Sequence, residues 1–418
     1  MVSPQEDSSV PSPSQGIRFI PLAIFILFVV AAIPSRAETL PESIEVRGDL
    51  SGSQTRFQSG SGTVAFMGGS ITEMNGYRPM VVESLRRRFP ETEFEFINAG
   101  ISSTCSHTGA FRLERDVLSK QPDLLLVEFA VNDDQDAAHS YQDALRGMEG
   151  IIRAARLRRP QMDILMVHFV NESMLETTRQ RKTPVSIAAH SAVADHYGVS
   201  TCNVAVELAK QIESGDMTWE VYGGVHPKQP GNRVAADLVD RVFDELKFDS
   251  DPPDRSKHVL ADRSGAGRRE VPAALDPHSF FAGRFLAHDS VELAAGWDWT
   301  RPDWSAIPGS FRSRYADRDL LVSGQPGAVC EFQFEGRAFG VFVLAGPDAG
   351  IVEYSVDGGP WKTRDLYHRY SRGLHYPRTI VLESGLPNET HQVRLRVSKQ
   401  KNDASTGHAI RILEVTAS

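Results

Sequence analysis

The run Thr63-Val64-Ala65-Phe66-Met67-Gly68-Gly69-Ser70 constrains this chain more than any other stretch. Thr63 to Met67, rich in β-branched and apolar types, reads as a buried strand. The glycines suit a sharp turn, because a residue without Cβ takes dihedrals that others cannot. A serine on such a turn presents its hydroxyl at the carboxyl end of the strand, where open α/β sheets bind ligands. Taken alone, the stretch fits an ordinary solvated serine equally well, so the decision falls to residues further along.

Downstream, strands and helices alternate. Helix 77–89 follows, then strand Phe94–Ile97 ending in Asn98-Ala99-Gly100, then a helix through Phe111 and Leu118. The apolar run Leu124 to Val131 has the composition of a central strand covered on both faces, and it ends in Asn132-Asp133. A helix over 140–157, a strand over 164–169, a helix over 184–197, a short strand over 199–203 and a last helix through Val234 and Leu246 complete the pattern. Leu40 to Gly60 alternates weakly and reads as a strand or hairpin leading in. The expectation is an α/β fold, a doubly wound parallel sheet of about five strands.

From Asp249 the composition shifts to Pro, Gly and charge, a linker. Beyond it short strands recur near 320–323, 329–334, 339–344, 352–356, 379–382, 393–397 and 410–415, which reads as an antiparallel β-sandwich. The boundaries are 1–37 for a signal peptide or anchor, 38–248 for the α/β domain, 249–280 for the linker and 281–418 for the sandwich.

The apolar run Phe19–Ile33 followed by Ser35-Arg36-Ala37 has the form of an export signal with a small-x-small cleavage site. The chain is therefore expected to be secreted or periplasmic, and membrane-anchored if the segment is not cleaved. A formal charge of −9 gives no basic footprint for nucleic acid. The three cysteines, Cys105, Cys202 and Cys330, make no disulfide framework. Cys105 and Cys202 could pair or remain buried thiols. No Cys/His spacing fits zinc, and no metal or cofactor is expected.

Ser70, Gly100 and Asn132 thus end three successive strands at one edge, and a histidine comes late in Gly223-Gly224-Val225-His226-Pro227. Four blocks, Gly68-Gly69-Ser70-Ile71-Thr72, Asn98-Ala99-Gly100, Ala130-Val131-Asn132-Asp133 and Val225-His226-Pro227, resemble in order those of the SGNH (GDSL) hydrolases. The resemblance implies Ser70 as nucleophile and His226 as general base. It also implies an oxyanion hole of the Ser70 and Gly100 amides and the Asn132 side chain. Two positions depart from the family pattern: Ala130 replaces a glycine, and Gly223 stands where the family usually carries the aspartate that orients the histidine. A backbone carbonyl can hold Nδ1–H instead, and Glu220 or Asp216 could reach in from the preceding loop.

The segment 336–399 resembles, loosely, the jelly-roll partner of two-domain carbohydrate esterases, which usually precedes the catalytic domain. With the export signal, this favours an O-acetyl esterase acting on a carbohydrate or polysaccharide. The alternatives are a catalytically decayed glycan-binding protein and an esterase or lipase for lipid esters. Trp297, Trp299, Trp304 and Trp361 read as straps between linker and domain, with sugar stacking as the other possibility.

Overall fold

The computed structural model describes residues 39–249 and 270–418. The targeting segment and most of the linker lie outside the described residues. The strands of the first sheet are β1 (Ile44–Glu45), β2 (Ser61–Gly68), β3 (Glu93–Gly100), β4 (Leu124–Glu128), β5 (Asp163–His168) and β6 (Ser200–Asn203). Their order is β1-β6-β5-β4-β2-β3, parallel except where β1 pairs antiparallel with β6. From β3 to β6 this is the doubly wound order that reverses direction beside β2. Ligands bind at such a reversal, and Ser70 follows β2 directly.

The helices are α1 (Ser51–Gln58), α2 (Ser70–Glu73), α3 (Tyr77–Arg88), α4 (Ser106–Asp116), α5 (Tyr141–Arg158), α6 (Glu172–Arg179), α7 (Val185–Tyr197), α8 (Val204–Ser214), α9 (Trp219–Tyr222) and α10 (Gln229–Glu245). β4 and β5 are buried at every residue, as strands covered on both faces must be. Phe57, Phe66, Tyr77 and Phe243 fill one face of the sheet, and Phe111, Phe129 and Ile151 the other. Each such side chain contributes roughly 1.5–3 kcal/mol by leaving water. The lead-in holds β1 but is otherwise helical (α1), where the sequence suggested a strand or hairpin.

The second sheet contains β7 (Arg284–Phe285), β8 (Val291–Leu293), β9 (Asp298–Thr300), β10 (Leu320–Ser323), β11 (Val329–Ala345), β12 (Ile351–Val356), β13 (Lys362–Asp365), β14 (Tyr376–Val397) and β15 (Ile410–Ala417), all antiparallel. Its core is Phe332, Phe339, Val341, Leu395 and Ile412. Trp297 is buried in this core, Trp299 stacks on His288 at 3.8 Å, Trp304 on Phe311 at 4.7 Å, and Arg396 sits over Trp361 at 4.0 Å.

Residues 275–280 lie along α5. Buried Glu149 accepts hydrogen bonds from the Leu275 and Asp276 amides and from Ser279 Oγ. Phe280 stacks on Phe111 at 5.3 Å inside the first core. The β domain also reaches the edge where the parallel strands end. Thr108 Oγ1 donates to Thr379 Oγ1 at 2.9 Å, and Arg369 donates to the Gln135 carbonyl. All three cysteines are buried free thiols, so Cys105 and Cys202 do not pair. Among the described residues, no helix is long and apolar enough to cross a membrane.

Candidate active site

Ser70 is the first residue of α2, so its amide has no carbonyl four residues back to bind within the helix. Its Oγ lies 2.8 Å from His226 Nε2, across 156 residues of chain. The parallel register sets Gly68 opposite both Gly100 and Glu128, which brings the ends of β2, β3 and β4 to one edge.

Gly68 and Gly69 are needed for close approach, not for unusual dihedrals. Gly69 has φ −87° and ψ −143°. A Cβ there would stand 1.9 Å from Asn132 Oδ1, and one on Gly68 would stand 2.3 Å from Thr72 Oγ1. The Asn132 side chain therefore packs directly against the backbone that precedes the serine.

Asn132 opens a π-helical turn, Asn132–Asp136, and its Nδ2 donates to Asp136 Oδ2 at 2.6 Å. Burial raises the Asp136 carboxyl, while the Asn132 hydrogen bond and, more weakly, His226 pull it down. Asp136 thus lies within electrostatic reach of the histidine, and the sequence reading missed it. The signal was the acidic run Asp133-Asp134-Gln135-Asp136, of which the family block covers only the first residue.

Beneath this turn, Asp133 accepts from the Ser106 amide at 2.8 Å and Ser106 Oγ at 2.6 Å, and it meets His190 Nε2 at 2.9 Å. Burial would raise its carboxyl, but His139 and His190 hold it far below the usual range. Burial also opposes charge on His139, yet Asp133 and Cys105 lift the ring to about 10. Cys105, Asp133 and His139 hold three donor atoms within 4.8 Å of one another. The Asp133 oxygens already serve Ser106 and His190, so this cluster braces the Asn132 turn.

Gly100 stands where a Cβ would come 2.3 Å from the Glu73 amide nitrogen. Its N–H donates to Asn98 Oδ1 at 3.0 Å, so it meets an oxyanion only when Asn98 lets go. Glu73 accepts from the Ser102 amide at 2.9 Å and pairs with Arg314 at 3.3 Å. Arg78 donates to the Thr72 carbonyl at 2.9 Å. His168 is buried, its ring pushed down to about 3 by burial and then by His190, and among the described residues its Nε2 bonds nothing.

No acid completes the serine–histidine pair by hydrogen bond among the described residues. Glu220 hydrogen-bonds Thr218 and its own backbone, which hold its carboxyl low, while its carbonyl accepts from Lys228 Nζ at 3.2 Å. Asp216 accepts from Ser214 at 2.6 Å. Gly223 has φ +111°, and a Cβ there would stand 2.3 Å from the Lys228 amide nitrogen. The loop leaves no room for a side chain where the family usually has aspartate. Gly223→Asp is therefore expected to lower activity and to destabilise the fold by about 1–3 kcal/mol from backbone strain. A variant with raised turnover and an unchanged melting temperature would contradict this.

Glu128 ends β4 fully buried, and among the described residues neither of its oxygens has a hydrogen-bond partner of good geometry. Burial, then repulsion from Asp133, raises its carboxyl to about 8 against the pull of the Val131 and Gly69 amides. The folded chain thus keeps this proton up to about pH 8, whereas the unfolded chain releases it near the ordinary value of 4.5. Between those limits the folded state binds more protons, so stability falls as pH rises, by up to about 1.4 kcal/mol per unit. Glu128→Gln should remove that slope. Urea midpoints at pH 5, 6.5 and 8 check it, and parallel profiles for the two proteins would contradict it.

Residues 66–234 match the GDSL-like lipase/acylhydrolase family. Over that stretch, most of the first domain, the chain is similar to this family. The match supports a carboxylic ester hydrolase. Among solved structures the chain is similar to a two-domain esterase active on acetylated mannans, in two structures: one co-crystallised with mannopentaose (TM-score 0.68, 21% identity, 90% of this chain and 96% of that chain) and one described without it (TM-score 0.69, 21% identity, 90% and 97%). It is also similar to Axe2, an acetylxylan esterase from Geobacillus stearothermophilus (TM-score 0.37, 18% identity, 45% and 95%). No curated protein matches the chain by sequence. The chain and the mannan esterase share their fold across both domains.

Proposed function

We propose that this chain is an extracytoplasmic serine esterase that releases acetyl groups from a carbohydrate through a Ser70–His226 dyad. The observation that carries the mechanism is the 2.8 Å contact between Ser70 Oγ and His226 Nε2. Ser70 Oγ attacks the acyl carbon and its proton passes to His226 Nε2. Collapse of the tetrahedral intermediate sends that proton to the departing sugar oxygen, leaving acyl-Ser70. Water, activated by the same imidazole, then releases acetate. The Ser70 amide and the Asn132 side-chain amide are the donors aimed at the oxyanion, and the Gly100 amide joins them on leaving Asn98.

A carbohydrate substrate is supported by the two-domain mannan esterase with which the chain shares its fold. The export signal read in the sequence supports the location. Acetate release screened over acetylated mannan, xylan and pectin, with Ser70→Ala as the blank, tests the whole reading. Release equal to the blank on every polymer would sink it. Glu220→Gln should change turnover by less than about twofold, as a surface substitution does. A tenfold loss would restore Glu220 as the group that orients His226.

A further inference from the structure

A cavity of about 580 Å³ opens where α4 and the end of β3 face the β domain, and Gly100 and Ile101 form part of its wall. Five cationic side chains line it: Arg112, Arg115, Lys120, Arg314 and Arg318. In a chain of formal charge −9 this concentration is unusual. Three carboxylates serve four of the five. Asp116 holds Arg112 at 3.3 Å and Arg115 at 2.7 Å. Glu414 holds Arg115 at 3.0 Å and Arg318 at 2.9 Å, and Glu73 holds Arg314 at 3.3 Å. Lys120 is exposed and makes no ion pair among the described residues.

Two donors in this wall, one of them on Arg112, are buried without a partner among the described residues. Tyr315 is 4% exposed and the Arg112 side chain 0%. Among the described residues, neither the Tyr315 hydroxyl nor Arg112 Nε has a hydrogen-bond partner. Burying such donors unpaired is costly, so their placement suits an acceptor arriving from outside the chain. The cavity also adjoins the reacting groups. Arg112 Nη2 donates to the Gly68 carbonyl at 3.1 Å, and Gly68 lies opposite Gly100, one strand spacing away.

We propose that this cavity receives an anionic substituent of the glycan, a carboxylate or a sulfate, and that the enzyme therefore prefers acetylated acidic glycans over neutral ones. This rests on the esterase reading and narrows its substrate class. The group's oxygens accept from Tyr315 and Arg112, and Lys120 adds long-range attraction that salt screens.

Binding to the full chain tests the site without turnover. Calorimetry at low salt compares tetragalacturonate, a sulfated tetrasaccharide and neutral mannotetraose. The acidic ligands should bind at least about tenfold tighter than the neutral one, and the preference should shrink with added salt. The two acidic ligands distinguish carboxylate from sulfate. Tyr315→Phe and Lys120→Glu should each weaken the acidic ligand by about three- to tenfold. Lys120 is exposed, so its variant reports even if Tyr315→Phe misfolds. Equal affinity for acidic and neutral ligands, or an acidic preference untouched by Lys120→Glu, would overturn the proposal. Acidic preference without acetate release from any polymer would sink the esterase reading and leave this site standing. Acetate release with no acidic preference would do the reverse.

Discussion

Ser70→Ala should abolish acetyl-ester turnover, with a loss of about 10⁶-fold, and His226→Ala should fall nearly as far. The two losses should not add, because hydroxyl and imidazole act as one unit across 2.8 Å. The double variant should therefore sit close to either single one. The reasoning is geometric. A serine hydroxyl is a weak nucleophile at neutral pH and needs a base within hydrogen-bond reach, and His226 Nε2 is placed to take its proton. Steady-state kinetics on a chromogenic acetate decides it, since full activity in His226→Ala would remove the base from the mechanism. Near-UV circular dichroism should match the wild type, because His226 is exposed and its loss leaves no cavity.

Asn132→Ala should lower kcat by about 10²–10³ with little change in KM, the loss expected for one oxyanion donor. The Asn132 side chain packs on Gly69 and is steered by Asp136 at 2.6 Å. Asp136→Ala should accordingly lose part of the same kcat, because it removes the steering and keeps the amide. A merely structural Asn132 would lower the melting temperature and leave kcat of the folded fraction intact. That pattern would contradict the assignment.

The sheet and the Ser70–His226 contact were legible in the sequence because both follow local rules. Apolar runs of strand length ended in Gly-Gly-Ser, Asn-Ala-Gly and Val-Asn-Asp, and parallel winding carries such ends to one edge. Other features depend on contacts that local patterns do not contain. Gly68 and Gly69 look like dihedral-driven turn residues, yet their reason is Asn132 and Thr72, which arrive from elsewhere. Gly223 looks like a lost aspartate, and only the approach of the Lys228 amide shows that no side chain fits.

β11 and β14 each read as two short strands. They are continuous because β-bulges near Gly336 and Phe339 bend the pair without ending it. The strap of residues 275–280 on α5 and the Arg314–Glu73 pair join positions more than a hundred residues apart, beyond any periodicity argument.

Labelling with a fluorophosphonate, followed by peptide mass mapping, tests the reacting pair most directly. A single adduct on Ser70 is predicted, formed in the wild type and strongly slowed in His226→Ala. An unlabelled Ser70, or a label at another residue that forms equally fast without His226, would contradict it.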